Sequence, residues 1–325
     1  KAWRAQFAVP LIAVTGSNGK TTVTQMLASI VHVWQSANAL ATQGNFNNHI
    51  GVPLTLLRLR AHHRIAVLEL GMNHPGEISQ LADCAAPTVA LVNNAQREHQ
   101  EFMHSVQAVA EENGSVIQHL PAHGTAVFPA TDAYQSLWRS YAANRHVIDF
   151  GNPSAAVHVL QADASSSGWQ LQMHTPAGPI HARLNLPGQH NLHNAMAAVS
   201  AALAAGVPTH AIAQGLSQFQ PVSGRSQLSV FQRGEHSICL IDDTYNANPD
   251  SVRAAIDVLA QSAKPRLLVL GDMGEVGTQG AAFHAEAGLY AHTQHIEHVL
   301  TLGELSAYTA SACPNAVHCH SIEEL

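Results

Sequence analysis

Seven residues, Gly16-Ser17-Asn18-Gly19-Lys20-Thr21-Thr22, place two glycines, an ammonium group and two adjacent threonine hydroxyls together. That combination is suited to holding a phosphate. The glycines free the main chain to turn successive N–H groups inward, Lys20 adds a mobile positive charge, and the Thr21 hydroxyl is placed to ligate Mg2+. The commonest phosphate loop carries a further glycine at the position held here by Val14, so the match is to the shorter Gly-x-x-Gly-Lys-Thr-Thr form. A plain strand-to-helix turn with a surface lysine is the competing reading, and the apolar run before the loop and the helical pattern after it argue against that.

Other chemistry-bearing residues gather at predicted strand ends. Glu69 closes the apolar run Val67-Leu68-Glu69, at the edge where open parallel sheets collect their ligands. A carboxylate behind core residues needs a partner; helix capping or a surface ion pair are the plainer alternatives. His99 follows the next strand and reaches the same edge. Together they predict a divalent cation site beside the loop, of the kind that draws charge off a transferring phosphoryl group, although His99 alone reads equally as a polar loop residue. The stretch Gly188 to Asn194 offers amides to a base edge or a phosphate, and helix capping by Asn191 accounts for part of it as well. Asp242-Asp243-Thr244-Tyr245-Asn246-Ala247-Asn248-Pro249 ends a strand with two acids and opens a helix; adjacent strand residues point opposite ways, so one acid faces a site and the other is solvated or capping. His292, His295 and His298 invite a metal reading, but no carboxylate or cysteine accompanies them in a zinc pattern. Surface histidines in place of Lys and Arg account for most of the 23 in the chain.

The elements that must position these groups alternate between apolar runs and helical periodicity, the signature of a mostly parallel sheet wrapped by helices on both faces. Strands are predicted at Ile12–Val14, Ile65–Glu69, Val89–Asn93 and Thr125–Pro129, and helices at Thr21–Val33, Pro75–Asp83, Ser105–His119 and Asn191–Ala205. Between Ala155 and Leu186 short alternating runs, broken at Ser165-Ser166-Ser167-Gly168 and Pro176-Ala177-Gly178-Pro179, predict antiparallel hairpins. Periodicity lapses near Phe219 to Arg225, and a new strand–helix–strand series follows: strand Ser237–Asp242, helix Pro249–Ser262, strand Arg266–Leu270, helix Phe283–His292 and strand His298–Thr301. The expected organisation is a central α/β domain over residues 1–222 and a second, Rossmann-like α/β domain over 223–325, short of the usual strand number and so read as cut short.

Composition narrows the function classes. The formal charge of −7 gives no broad basic surface for nucleic acid or an anionic membrane. No apolar run reaches the length of a membrane span, and the N-terminal residues lack a signal-peptide pattern. The four cysteines show no Cys-x-x-Cys spacing and are too few for a disulfide framework, with Cys84 and Cys239 read as core fillers. A cytoplasmic protein is expected.

Six motifs, in order, resemble the Mur ligases: Thr15 to Thr22; Gly44-Asn45-Phe46-Asn47-Asn48-His49-Ile50-Gly51-Val52-Pro53; Glu69 to Ile78; His190-Asn191-x-x-Asn194; Gly224-Arg225; and Asp243-x-Tyr245-Asn246-Ala247-Asn248-Pro249. The second and last are similar to the MurF type within that family. The resemblance covers nearly the whole chain and implies an ATP-dependent ligase of peptidoglycan precursor synthesis, acting as a monomer, that adds D-alanyl-D-alanine to UDP-N-acetylmuramoyl-tripeptide through an acyl phosphate. It implies that Gly16, Ser17, Asn18, Gly19, Lys20, Thr21 and Thr22 hold ATP, that Asn191, Asn194, Arg225 and Asp243 contact it, and that Thr21, Glu69 and His99 support Mg2+, with Lys20, Glu69 and His99 catalytic. Asn47, Asn48, Tyr245, Asn246 and Asn248 would face substrate.

Two departures stand out. Where many Mur ligases have a carbamylated lysine supporting magnesium, this chain has Asn113, and Glu112 or water is the expected substitute. Family members also begin with a UDP-binding domain and continue further at the C-terminus, so the chain is expected to be a core fragment, weak or inactive by itself. Two other readings stay open: a folylpolyglutamate synthetase-like ligase, and a nucleotide-binding module without turnover. A hydroxyl kinase is disfavoured because nothing resembles a positioned catalytic base.

Overall fold

The computed structural model describes residues 1–165 and 168–325. It divides into two compact units, one of residues 1–96, 105–185 and 189–220, the other of residues 97–104, 186–188 and 221–325.

The larger unit is built on nine strands: β1 (Leu11–Thr15), β2 (Ala39–Ala41), β3 (Ile65–Glu69), β4 (Val89–Val92), β5 (Thr125–Pro129), β6 (His146–Gly151), β7 (Val157–Ser165), β8 (Gly168–His174) and β9 (Ile180–Leu184). They lie in the order β2-β3-β1-β4-β5-β6-β7-β8-β9. Every pairing from β2 to β7 is parallel; β8 and β9 add on antiparallel. Burial explains which strands can be read from sequence. Strands β1, β3, β4 and β5 are buried at every position, as parallel strands covered on both faces must be, and so appear as unbroken apolar runs. In β9 buried and exposed residues alternate, the mark of a sheet with one wet face. The two serines at the centre of the predicted turn, Ser166 and Ser167, lie outside the described residues.

The helices are α1 (Lys20–Gln35), α2 (Gly51–Leu56), α3 (Glu77–Ala85), α4 (Gln100–Met103), α5 (Val106–Gln118), α6 (Gln135–Ala142), α7 (Gln189–Ala204), α8 (Thr209–Gln218), α9 (Pro249–Ala260), α10 (Gly280–Thr293) and α11 (Ser306–Ala312), of which α4, α9, α10 and α11 belong to the smaller unit. Helices α1, α7 and α8 pack together, and α5 packs with α3 and α6. Their two groups give the sheet its layers. Helix α5 is tied down at close quarters: Gly114 leaves room for Trp138, whose ring a methyl group there would meet at 2.6 Å, and Trp138 Nε1 donates to the Ala110 carbonyl at 2.9 Å. From β1 the chain passes through α1 to β2 and β3 on one side, while β4 takes the other side of β1. That reversal of strand order makes the carboxyl end of β1 a switch point, where open α/β sheets bind ligands.

The smaller unit differs from the single series expected. Ser237 to Asp242 does form a strand, β11 (His236–Asp242), but it pairs antiparallel with β10 (Gln227–Arg233) in a separate two-stranded ribbon. The parallel sheet consists instead of β12 (Leu267–Leu270), β13 (His298–Leu302) and β14 (Ala316–Cys319). A buried cluster of Val252, Ile256, Leu270, Phe283, Ala287 and Val299 joins α9 and α10 to that sheet. The ribbon is largely exposed, which also corrects the reading of the cysteines: Cys239 is exposed and Cys84 half-buried, while Cys313 and Cys319 are the buried pair.

Candidate functional site

At the carboxyl end of β1 the chain makes the expected loop. Gly16 and Gly19 adopt φ +128° and +81°, values that side-chain-bearing residues rarely take. Gly19 is the N-cap of α1, and no side chain caps the helix there. The first turn therefore presents main-chain N–H groups, and the positive end of the helix dipole, toward the loop. Lys20 folds across it, with Nζ donating to the Gly16 and Ser17 carbonyls at 2.6 and 3.0 Å.

Glu69, the last residue of β3, sits opposite the position of Val14 in the adjacent strand. Its side chain is 1% exposed. Oε1 accepts from the Thr21 hydroxyl at 3.1 Å and from Asn47 Nδ2 at 2.8 Å; Oε2 is buried with no partner among the described residues. An ionised carboxylate in such a place needs more than two neutral donors, and a hydroxyl beside it completes an oxygen-only donor set. These atoms fit a hard divalent cation such as Mg2+. Among the described residues no group of three or more His, Cys, Asp or Glu side chains is placed to hold a metal.

His99 belongs to the smaller unit. Its Nδ1 contacts Glu275 and its Nε2 lies 3.4 Å from Glu98. Asn48 Oδ1 accepts from the N–H of Gly51, the first residue of α2, at 2.9 Å, while Asn47 turns to Glu69. The loop after β3 is kept in shape by Glu77, whose Oε2 accepts from the N–H groups of Asn73 and His74.

The amide-rich stretch before the long alanine-rich helix is placed differently from a simple cap. Asn191 lies inside α7, which starts at Gln189, so the capping account of Asn191 falls. Its Oδ1 accepts from Asn194 Nδ2 at 3.1 Å, and Asn194 Oδ1 accepts from Asn93 Nδ2 at 2.9 Å. Asn93 Nδ2 also donates to the Asn18 carbonyl at 2.8 Å. These three buried asparagines support the loop from beneath. A Cβ at Gly19 would come within 2.3 Å of Asn194 Oδ1, which is why glycine is required there. His193 Nε2 donates to the Asn93 carbonyl at 2.9 Å; burial lowers its pKa, opposed by that bond and by the charge of Asp132.

The site at residue 112–113 corrects the expectation that Glu112 replaces a charged magnesium support. Both Glu112 oxygens are engaged at the start of α3, accepting from the N–H groups of Gly76 at 2.8 Å and Ile78 at 2.7 Å. A carboxylate there satisfies helix N-terminal donors and complements the dipole. Asn113, by contrast, reaches the phosphate loop: its Oδ1 accepts from the Gly16 N–H at 2.9 Å.

Within the smaller unit the predicted residues Arg225, Asp243 and Tyr245 come together. The Arg225 guanidinium lies 4.0 Å over the Tyr245 ring, a cation–π contact. Gly224 accepts from the Tyr245 N–H at 3.1 Å. Asp243 accepts from the Ser226 N–H at 2.9 Å, and burial raises its pKa against that bond and the charge of Arg225. Of the two adjacent acids, Asp242 is the one turned to local capping, accepting from Thr244. Asn246 is exposed, and Asn248 is the N-cap of α9 in a capping box with Ser251. Sequence reading misses Arg97, which donates to Asp250 at 2.6 Å and to Glu286 at 2.7 Å; hydrogen bonds to those two carboxylates raise its pKa.

A parallel sheet whose first strand feeds a glycine-rich loop and an uncapped helix, with a carboxylate and a hydroxyl beside it, defines a phosphate-loop nucleotide-binding protein. Residues 14–202 match the family model described as Mur ligase middle domain, and residues 224–325 match the one described as Mur ligase, glutamate ligase domain. The chain belongs to the Mur ligase family. It is 40% identical over 315 residues to the UDP-N-acetylmuramoyl-tripeptide–D-alanyl-D-alanine ligase of Escherichia coli, covering 96% of this chain and 68% of that relative. The crystal structure of MurF from Acinetobacter baumannii superposes with a TM-score of 0.92 at 35% identity, over 97% of this chain and 68% of that one. A MurF ligase from Thermotoga maritima, solved in complex with ADP, shares the fold at a TM-score of 0.82 and 22% identity, over 98% of this chain and 72% of that one.

Proposed function

We propose that this chain is the nucleotide-binding and ligase portion of an enzyme that joins D-alanyl-D-alanine to UDP-N-acetylmuramoyl-tripeptide at the expense of ATP, in the cytoplasmic stage of peptidoglycan precursor synthesis. The observation that carries the reading is the loop itself: Gly16 to Thr22 held open, with Lys20 across it and the Thr21–Glu69 pair alongside. The 40% identity to a relative of that name supports the choice of substrates over those of a folylpolyglutamate synthetase-like ligase.

A carboxylate is a poor electrophile, so the tripeptide's terminal carboxylate first attacks the γ-phosphorus of ATP, giving an acyl phosphate and ADP. The amine of D-alanyl-D-alanine then adds to the acyl carbon, loses a proton, and the tetrahedral intermediate expels inorganic phosphate. The N–H groups at the start of α1 bind phosphate oxygens, and Lys20 exchanges the Gly16 and Ser17 carbonyls for the β- and γ-phosphates, offsetting charge in the transition state. Mg2+, when bound, supplies further charge neutralisation there; Thr21 and Glu69 would hold it, with His99 as an additional support. Arg225 and Asp243 also contact ATP, and Asn47, Asn48, Tyr245, Asn246 and Asn248 face the acceptor and donor peptides. The protein works as a monomer in the cytoplasm, without nucleic-acid or membrane partners.

The test is phosphate release from ATP, measured with each peptide substrate alone and with both. Release that requires both supports ligation; MgATP binding with no substrate-dependent release favours a nucleotide-binding module without turnover.

A further inference from the structure

The phosphate loop is gripped at both ends by asparagines outside the six family motifs: Asn93, and Asn113 at the position to which the resemblance gives a carbamylated lysine. At its start, Asn113 from the middle of α5 accepts the Gly16 N–H through Oδ1 at 2.9 Å, and its own carbonyl accepts from the Thr15 hydroxyl at 3.2 Å. At its end, Asn93, directly after β4, donates from Nδ2 to the Asn18 carbonyl at 2.8 Å and to Asn194 Oδ1 at 2.9 Å. Both are buried, Asn113 at 1% exposure and Asn93 at 0%. Because each bonds a main-chain group of fixed polarity, the amide orientations are settled: Asn113 must present oxygen and Asn93 must present nitrogen.

We propose that Asn93 and Asn113 are positioning residues for nucleotide binding, a two-point clamp of opposite polarity that sets the loop before any ligand arrives. The inference rests on the loop being the ATP site. Gly16 is the pivot. Its N–H, in the peptide before it, is held by Asn113, while its carbonyl, in the peptide after it, receives Lys20, so α5 anchors one side of the residue whose other side orients the lysine. On the far side the Asn18 carbonyl accepts from Asn93 Nδ2 at 2.8 Å and from Asn94 Nδ2 at 3.1 Å, and these bonds together fix the entry into Gly19 and the first turn of α1. Neutral amides suit this task. A charged group at either position would add or subtract a full charge beneath the phosphates, whereas an amide fixes geometry and leaves the field to Lys20.

The opposite polarities give a signature that general damage would not produce. Asn113→Asp keeps the size and an acceptor for the Gly16 N–H in either protonation state, whereas Asn113→Leu removes that acceptor and Asn93→Leu removes the donor to the Asn18 carbonyl. The measurement is calorimetric titration with MgATP at pH 6, where burial helps to keep the carboxyl introduced at position 113 neutral. Asn93→Leu and Asn113→Leu are expected to be weakened by about 10- to 100-fold. Asn113→Asp should stay within about 5-fold of the parent chain, as the retained acceptor requires. Lys20→Ala, run in parallel, separates two failures. Unchanged affinity in Lys20→Ala overturns the reading of the site; a weakened Lys20→Ala beside unchanged Asn93→Leu and Asn113→Leu overturns the clamp alone. Thermal melts identify any variant that does not fold. Should Asn113→Leu unfold, Asn93→Leu and Asn113→Asp decide, and equal affinities for them overturn the proposal.

Discussion

The loop at Gly16–Thr22 and the segment from Gly224 to Asn248 are both assigned to ATP and substrate, yet they are built in opposite ways. The first is sunk at the end of a fully buried strand and held by residues drawn from β3, the loop after β4, α5 and α7, among them Glu69, Asn93, Asn113 and Asn194. The second is held by its own neighbours: Tyr245 bonds Gly224, Asp242 bonds Thr244, Asn248 caps its own helix, and Tyr245 and Asn246 are exposed. A segment supported by distant elements is ordered by the fold as a whole, so its geometry is set in advance of the ligand. A segment supported locally keeps its shape but leaves its side chains to be recruited. Nucleotide affinity should therefore come mainly from the first region, and the second should tune turnover and substrate choice.

The sharpest way to break that division is Gly19→Ala. The new methyl would collide with Asn194 Oδ1 in a backbone conformation of φ +81°, and displacing the loop by about 1 Å should lower turnover about 100-fold. If single-turnover assays find Gly19→Ala near parental activity, the loop is not preset. Next in size is Glu69→Gln, expected to cut kcat by about 100-fold while nucleotide affinity in the absence of metal changes little, because the lost charge acts through the cation. His99→Ala should fall between that variant and the parent. Arg225→Ala removes a group stacked on Tyr245 and should raise the KM for ATP by about 3- to 10-fold, consistent with a single partly exposed cation. An effect as large as that of Glu69→Gln would erase the contrast between the regions.

A pH experiment sharpens the buried side of the comparison. Burial holds the pKa of His193 below its ordinary value of 6.5. Below that value the unfolded chain takes up a proton that the folded chain still refuses. Stability should accordingly decline as pH falls from about 6.5 toward the lowered folded value, by at most about 1.4 kcal/mol per pH unit for this group. His193→Gln should flatten the dependence of the melting temperature between about pH 7 and 5; identical slopes would contradict the assignment. The smallest effect belongs to the exposed side. Asn248→Ala removes an N-cap and should cost about 1 kcal/mol of stability in denaturant unfolding.

Legibility in the sequence follows the same division between distant and local support. Strands β1, β3, β4 and β5 announce themselves because both their faces are covered. Strand β6 mixes exposed and buried positions and β2 is three residues long, so neither rises above a loop pattern. Strand β10 is hidden for a different reason. Most of its residues face solvent, and without it β11 reads as the opening of the parallel sheet. The loop glycines, Lys20, Thr21 and Glu69 are readable because their spacing is local or because a carboxylate ends an apolar run. Asn93 and Asn113 are not, since their bonds to Asn18 and Gly16 span 75 and 97 residues. The one available hint is the pair Asn93-Asn94 directly after a buried strand, at the ligand-bearing edge. Glu112 invites misreading because its partners are the N–H groups of a helix that sequence spacing does not bring near it.

The proposed function stands on main-chain amides around Gly16 to Thr22, with Lys20 across them, binding the triphosphate of ATP. Calorimetric titration of the parent chain and of Lys20→Ala with MgATP probes that contact without relying on any peptide substrate. The dissociation constant should rise by about 10- to 100-fold in the variant, the worth of a charge-assisted contact to phosphate. Equal dissociation constants, with both proteins folded by their melting curves, would contradict it.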